Sequence, residues 1–143
     1  MDCRIFVKLP VRNVVASSAF YAALGAEWDE RFCDASTAMM HLTDQIAVVL
    51  LHQDRFAASA QRQVADARTH SQELLRLSCE DRADVDRLVA IAGWAGGRAD
   101  PRPLRDGDFL YERSFEDPDG HIWEAGWMEA AAGRMARGQK HAA

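Results

Sequence analysis

Apolar and polar residues alternate along Cys3-Arg4-Ile5-Phe6-Val7-Lys8-Leu9-Pro10-Val11 once past the first positions, a period of two that predicts a β-strand. The spacing then changes to that of a helix. Ser17, Phe20, Tyr21 and Leu24 keep one face, Asn13 is placed to cap the start, and Gly25 suits the end. Three more strands are expected at Glu27 to Cys33, Thr37 to Leu42 and Gln45 to His52, with a tight turn at Thr43-Asp44 between the last two. A polar connection, 53–72, rich in Ala, Gln and Arg, has room for a short helix around Phe56 to Ala60. After it the plan repeats. Glu73 to Cys79 reads as a strand, and Asp81 or Asp84 caps a helix. In that helix Val85, Leu88, Val89 and Ala92 follow the i, i+3, i+4, i+7 spacing, and Gly93 closes it. Strands follow near Ala95 to Asp100, Asp108 to Phe115 and His121 to Met128, and the Ala-rich tail, 129–143, is expected to begin helical and then fray.

The repetition has a register. One shift of 68 residues lays Leu9 on Leu77, Val11 on Cys79, Asn13 on Asp81, Phe20 on Leu88 and Gly25 on Gly93, without a gap. Two modules, 3–52 and 73–128, are therefore expected within one domain, 1–128. Asp117-Pro118-Asp119-Gly120 joins the last two strands; Pro presets φ early in the turn and Gly takes a left-handed position.

Composition narrows the classes of function. With 143 residues, 48% of them apolar, the chain is large enough to bury a core without disulfide staples. Its net charge of −5, with no stripe of Lys and Arg, argues against a nucleic-acid surface. The longest apolar run, Ile46 to Leu51, is too short to cross a bilayer, and the first residues carry no signal-peptide pattern. Cys3, Cys33 and Cys79 are scattered and form no CxxC pair, so each is expected to be a reduced, buried thiol in a cytoplasmic protein.

Leu9-Pro10-Val11-Arg12-Asn13, then Ser17 or Ser18, Phe20-Tyr21 and Leu24-Gly25, resemble the opening signature of the vicinal oxygen chelate superfamily, the glyoxalase, bleomycin-resistance and extradiol-dioxygenase group. Glu116-Asp117-Pro118-Asp119-Gly120-His121-Ile122-Trp123-Glu124 resembles its closing signature. The Phe6 to Val11, Val49 to Leu51 and Arg113 to Pro118 segments are similar to those of bacterial proteins labelled as predicted lactoylglutathione lyases. The resemblance implies an α+β fold in which two βαβββ modules form a half-open, eight-stranded barrel with helices outside and a cleft on the concave face. It also implies a homodimer. In metal-dependent members four His, Glu or Gln side chains on that face hold a divalent ion. Carried onto this chain, those positions are Phe6, Leu50, Leu74 and Glu124, of which Glu124 alone is a ligand type, so no metal or other cofactor is expected. A displaced site of His52, Glu73 and Glu124 would need a one-residue slip that sends a buried strand face to the wrong side.

Strand parity turns Ile122 and Glu124 toward the cleft, and a hairpin with Glu116 opposite His121 would bring Arg113 opposite Glu124. Glu124 then has two readings, a structural ion pair or a general base. Phe6, Lys8, Leu50, Tyr111, Arg113 and Ile122 are the expected ligand contacts. Three functions follow in order: a metal-independent cleft that binds a small organic molecule, a glyoxalase-type lyase or isomerase, and a protein-interaction module.

Overall fold

The computed structural model describes residues 2–130; the tail beyond Ala130, expected to be helical at first, lies outside the described residues. The first module runs β1 (Ile5–Val11), α1 (Val14–Ala23), β2 (Glu27–Trp28), β3 (Thr37–His41) and β4 (Ile46–His52). A connecting helix, α2 (Gln53–Ala60), leads to the second, which runs β5 (Leu75–Ser78), α3 (Arg82–Trp94), β6 (Arg98–Ala99), β7 (Arg105–Asp106), β8 (Leu110–Glu116) and β9 (Ile122–Met128). The strand orders are β1-β4-β3-β2 and β5-β9-β8-β6, with β7 also on β8. In each module the first strand lies parallel to the last, and the last lies antiparallel to the third. The sheets are open, as in a half-open barrel.

The expected repeat holds through the start of both helices. Asn13 and Asp81 cap α1 and α3 by accepting the backbone N–H of Ala16 and Asp84, in the same N-cap geometry. It slips afterwards, because α3 has 13 residues against 10 in α1. Gly93 therefore does not close α3. The left-handed position falls at Gly96 (φ 105°), the counterpart of Gly25 (φ 102°).

Two edge strands are shorter than the alternation implied, and both breaks have local causes. Strand β2 stops at Trp28 because Asp29 accepts the N–H of Arg31 and starts a 3-10 turn over Glu30–Phe32. In the second module Asp100 takes a left-handed φ of 51°, and Pro101 and Pro103 cannot donate to a ladder. The second strand of this module is thereby split into β6 and β7, both paired to β8.

One apolar cluster draws on both modules, with Leu9, Val11, Phe20, Tyr21, Met40, Val48, Leu50, Val85, Val89, Phe115 and Trp123 buried between helices and sheets. Helix α1 brings Phe20 and Tyr21 onto Phe115 and Trp123 of the other module, the last two rings stacked 6.2 Å apart. The Asp117–Gly120 turn is anchored to the first module as well. Asp119 accepts the Arg12 N–H (2.9 Å) and the Ser17 hydroxyl (3.2 Å), and the Tyr21 hydroxyl donates to Asp117 (2.7 Å). His121 Nε2 donates to the Pro10 carbonyl at 2.8 Å. Burial pushes the Asp117 carboxyl up, opposed by His121 and by the hydrogen bond from Tyr21. Residues from both signatures, Pro10, Arg12, Ser17 and Tyr21 from the opening one and Asp117, Asp119 and His121 from the closing one, thus bind each other. Cys33 and Cys79 are half-buried thiols, whereas Cys3, two residues before β1, is exposed, against the expectation of burial.

Candidate functional site

In β1, Val7, Leu9 and Val11 turn toward the helices, so Phe6 and Lys8 point to the opposite, concave face. The ladder carries that face across the sheet. Lys8 lies beside Val49, Val49 beside Met39, and Thr37 beside Leu51. Phe6, Met39, Val49 and Leu51 form the apolar floor of an open cavity of about 540 Å³. Arg31 and Phe32 from the 3-10 turn, and Arg55 from α2, stand at its lip. Arg31 is held by a two-point contact to Asp29 (2.9 and 2.8 Å), and Arg55 by Asp34 (2.9 Å). The Arg31 hydrogen bonds, and then that of His41, hold the Asp29 carboxyl well below the usual carboxylate range. His41, which has no acid neighbour in sequence, finds one here: its Nε2 donates to Asp29 at 2.9 Å.

The same face of the second sheet is charged. Arg76 of β5, Glu124 and Gly126 of β9, and Glu112 and Ser114 of β8 are ladder neighbours. Glu124 receives Arg102 at 2.6 Å and lies 3.9 Å from Arg76. Glu112, only 6% exposed, pairs with Arg76 and lies 3.8 Å from Arg105. Two local features make this possible. The Pro101 and Pro103 break carries Arg102 over the sheet, and Gly126 leaves room for the Arg76 guanidinium, since a Cβ there would lie 2.6 Å from Arg76 Cζ.

Of the expected contacts, Phe6 (48% exposed) and Lys8 line the first cavity, and Ile122 and Glu124 share the second sheet's concave face. Leu50 does not: it is fully buried beside Leu9, and the cleft-facing neighbours are Val49 and Leu51. The position carried over from the resemblance was one residue out, and the run from Ile46 to Leu51, apolar on both faces, carries no alternation that could have fixed it. Arg113 does not face Glu124. The hairpin pairs Glu116 with Ile122, one residue beyond the expected register, so Ser114 opposes Glu124. Arg113 turns to the helix side, where it holds Asp100 (2.6 Å) and Asp86 of α3 (2.8 Å). Tyr111 follows it, donating to Asp86 at 2.7 Å, and both lie away from the cleft.

His52 caps α2, its Nδ1 accepting the Asp54 N–H, and Glu73 precedes β5 as an exposed residue. Among the described residues no three His, Cys, Asp or Glu side chains converge to hold a metal ion. The fit of the inherited positions can be tested on the ladder. Lys8 and Arg76 are counterparts under the 68-residue shift, and their neighbours are Val49 and Glu124. The inherited set on the concave face is therefore Phe6, Val49, Leu74 and Glu124, with one oxygen donor that is already bound by Arg102. That set does not fit a divalent ion.

A model of the Glyoxalase/Bleomycin resistance protein/Dioxygenase superfamily matches residues 5–125. The chain belongs to that superfamily. Solved structures of similar fold include a hypothetical protein from S. aureus (22% identity, TM-score 0.73, covering 91% of this chain and 95% of that one). The fosfomycin resistance protein FosX from Mesorhizobium loti is similar over 92% of this chain and 97% of its own, at 17% identity and a TM-score of 0.65. A lactoylglutathione lyase from Agrobacterium tumefaciens is similar over 89% and 94%, at 18% identity and a TM-score of 0.64. At these identities the likeness is one of fold. No curated protein matches the chain. Among the described residues no helix is long and apolar enough to cross a membrane.

Proposed function

We propose that this superfamily member binds a small organic ligand on the concave face of its first sheet and does so without a metal ion. The observation that carries the reading is the cavity of about 540 Å³ floored by Phe6, Met39, Val49 and Leu51. Its size is that of small-molecule sites, which are lined mainly by apolar side chains with a few placed polar groups. Phe6 is 48% exposed there, an apolar surface that a ligand would remove from water. The test is a fluorescence titration of chelator-treated protein with phenylnaphthylamine, a neutral apolar probe. Saturable binding at one site per chain is expected, weakened in a Val49→Glu variant whose folding is checked by circular dichroism. Absence of saturable binding, or a folded Val49→Glu chain that binds as the parent does, contradicts the reading.

A lyase of the glyoxalase type is the alternative, with Glu124 as its acid–base group. The geometry supports the structural role better, because Arg102 occupies Oε1 and Arg76 stands beside the carboxylate. Methylglyoxal with glutathione is accordingly expected to show no turnover, with or without added Ni, Zn or Mn. Homodimer assembly also belongs to this proposal, resting on the superfamily resemblance.

A further inference from the structure

The two modules treat equivalent cations differently. In the second module Arg76 has internal partners, Glu112 and Glu124. In the first, the counterpart of Arg76 is Lys8, and its ladder neighbour, where Arg76 has Glu124, is Val49. Glu112 lies beside Gly126 and, one step along the same face, Ser114 lies beside Glu124. By the same steps Thr37 lies beside Leu51, and Met39 beside Val49, so Thr37 is the counterpart of Glu112. Both carboxylates are thus missing from the first module.

What remains there is unbalanced. Among the described residues no carboxylate lies within 4.0 Å of the Lys8 amine, whereas Arg31 and Arg55 are both paired. The Thr37 hydroxyl is buried, with no hydrogen-bond partner among the described residues. Lys8, Arg31 and Arg55 line the cavity against one acid, Asp34, with Asp29 just outside it behind Arg31. A cation facing an apolar cavity gains most from an anion that brings its own apolar body.

We propose that the ligand is a small organic anion whose charged group is anchored by Lys8 and whose apolar body lies on Phe6, Met39, Val49 and Leu51. This rests on the cleft reading above and adds the charge to it. Anilinonaphthalene sulfonate and phenylnaphthylamine share their rings and differ by the sulfonate, so the ratio of their dissociation constants isolates the anchor. Titrations on the full chain are expected to give about tenfold tighter binding of the sulfonate. Lys8→Met is expected to bring the two constants together, and Lys8→Arg to keep them apart. Equal constants in the parent, or a tenfold gap that survives in Lys8→Met, overturns the inference while neutral-probe binding leaves the cleft reading standing. If neither probe binds, both fall.

Discussion

At the scale of single residues, Glu124 shows how the neighbours of an acid in the closing signature set its role. It keeps the place on the concave face that strand parity assigned, but its partner is Arg102 from a proline-broken edge rather than Arg113. Glu124 is 15% exposed and Arg102 39%, so solvent screens part of the pair. Glu124→Ala and Arg102→Ala are each expected to cost about 1 kcal/mol, with the double variant losing less than the sum. Thermal melts of the three chains check this, and an Arg113→Ala background should leave the coupling intact. Thr37 makes the opposite prediction. A buried hydroxyl without a partner costs roughly 1–2 kcal/mol, and valine has nearly its shape. Thr37→Val should therefore melt at or above the parent, as read by calorimetry without ligand. Arg76 was within reach of the sequence, because the shift of 68 lays Lys8 on it, whereas Val49 as the counterpart of Glu124 came only with the observed ladders. Leu50 was misplaced because the all-apolar β4 run has no alternation to read.

Among elements, the informative ones are the broken edges. Asp29 and the 3-10 turn in one module, and Asp100 with Pro101 and Pro103 in the other, each deliver an arginine to the concave face. The prolines were visible in the sequence, but their consequence depends on which ladder they interrupt, a long-range fact. The hairpin register failed for a similar reason. The Asp117–Gly120 turn places Asp117 N–H on the His121 carbonyl, closing a loop one residue longer than a two-sided count suggested. Gly126 tests how tightly these elements fit. A Cβ there displaces Arg76, leaving Glu112 buried with only the distant Arg105, so Gly126→Ala should lose roughly 2 kcal/mol in denaturant melts. The first module's lip carries a pH dependence. The backbone N–H of Ser36, then Arg55, bring the Asp34 carboxyl down to about 2. A folded-state value below the unfolded one means that the native chain resists protonation. The stabilisation is complete above about pH 4 and is lost as pH falls toward the folded value. Asp34→Asn should flatten the acid limb of the stability profile between those limits without changing the neutral limb's slope.

For the whole molecule, the fold was legible because two capped helices, the repeat and one turn with its own chemistry agreed with the signature segments; the parallel pairing of the first and last strand in each module came only with the structure. What joins the modules was not legible. Tyr21 to Asp117, Ser17 to Asp119 and His121 to Pro10 are contacts between residues about a hundred positions apart, and nothing in a single sequence pairs them. Those contacts anchor the closing turn to the first module and leave the concave faces free for function. One face satisfies its own charges, and the other presents an apolar floor with a lysine that has no carboxylate partner among the described residues. For the homodimer proposed above, sedimentation velocity of the full chain is expected to give twice the 15.9 kDa chain mass, and the mass of a single chain contradicts it. The measurement that bears most directly on the cleft is a crystal structure of the protein grown with anilinonaphthalene sulfonate in the presence of chelator. Density for the probe over Phe6, Met39 and Val49, with its sulfonate at the Lys8 amine and no ion bridging them, is the expected result. A probe bound instead at the outer helices beside Trp94, or an empty cleft at saturating probe, would contradict it.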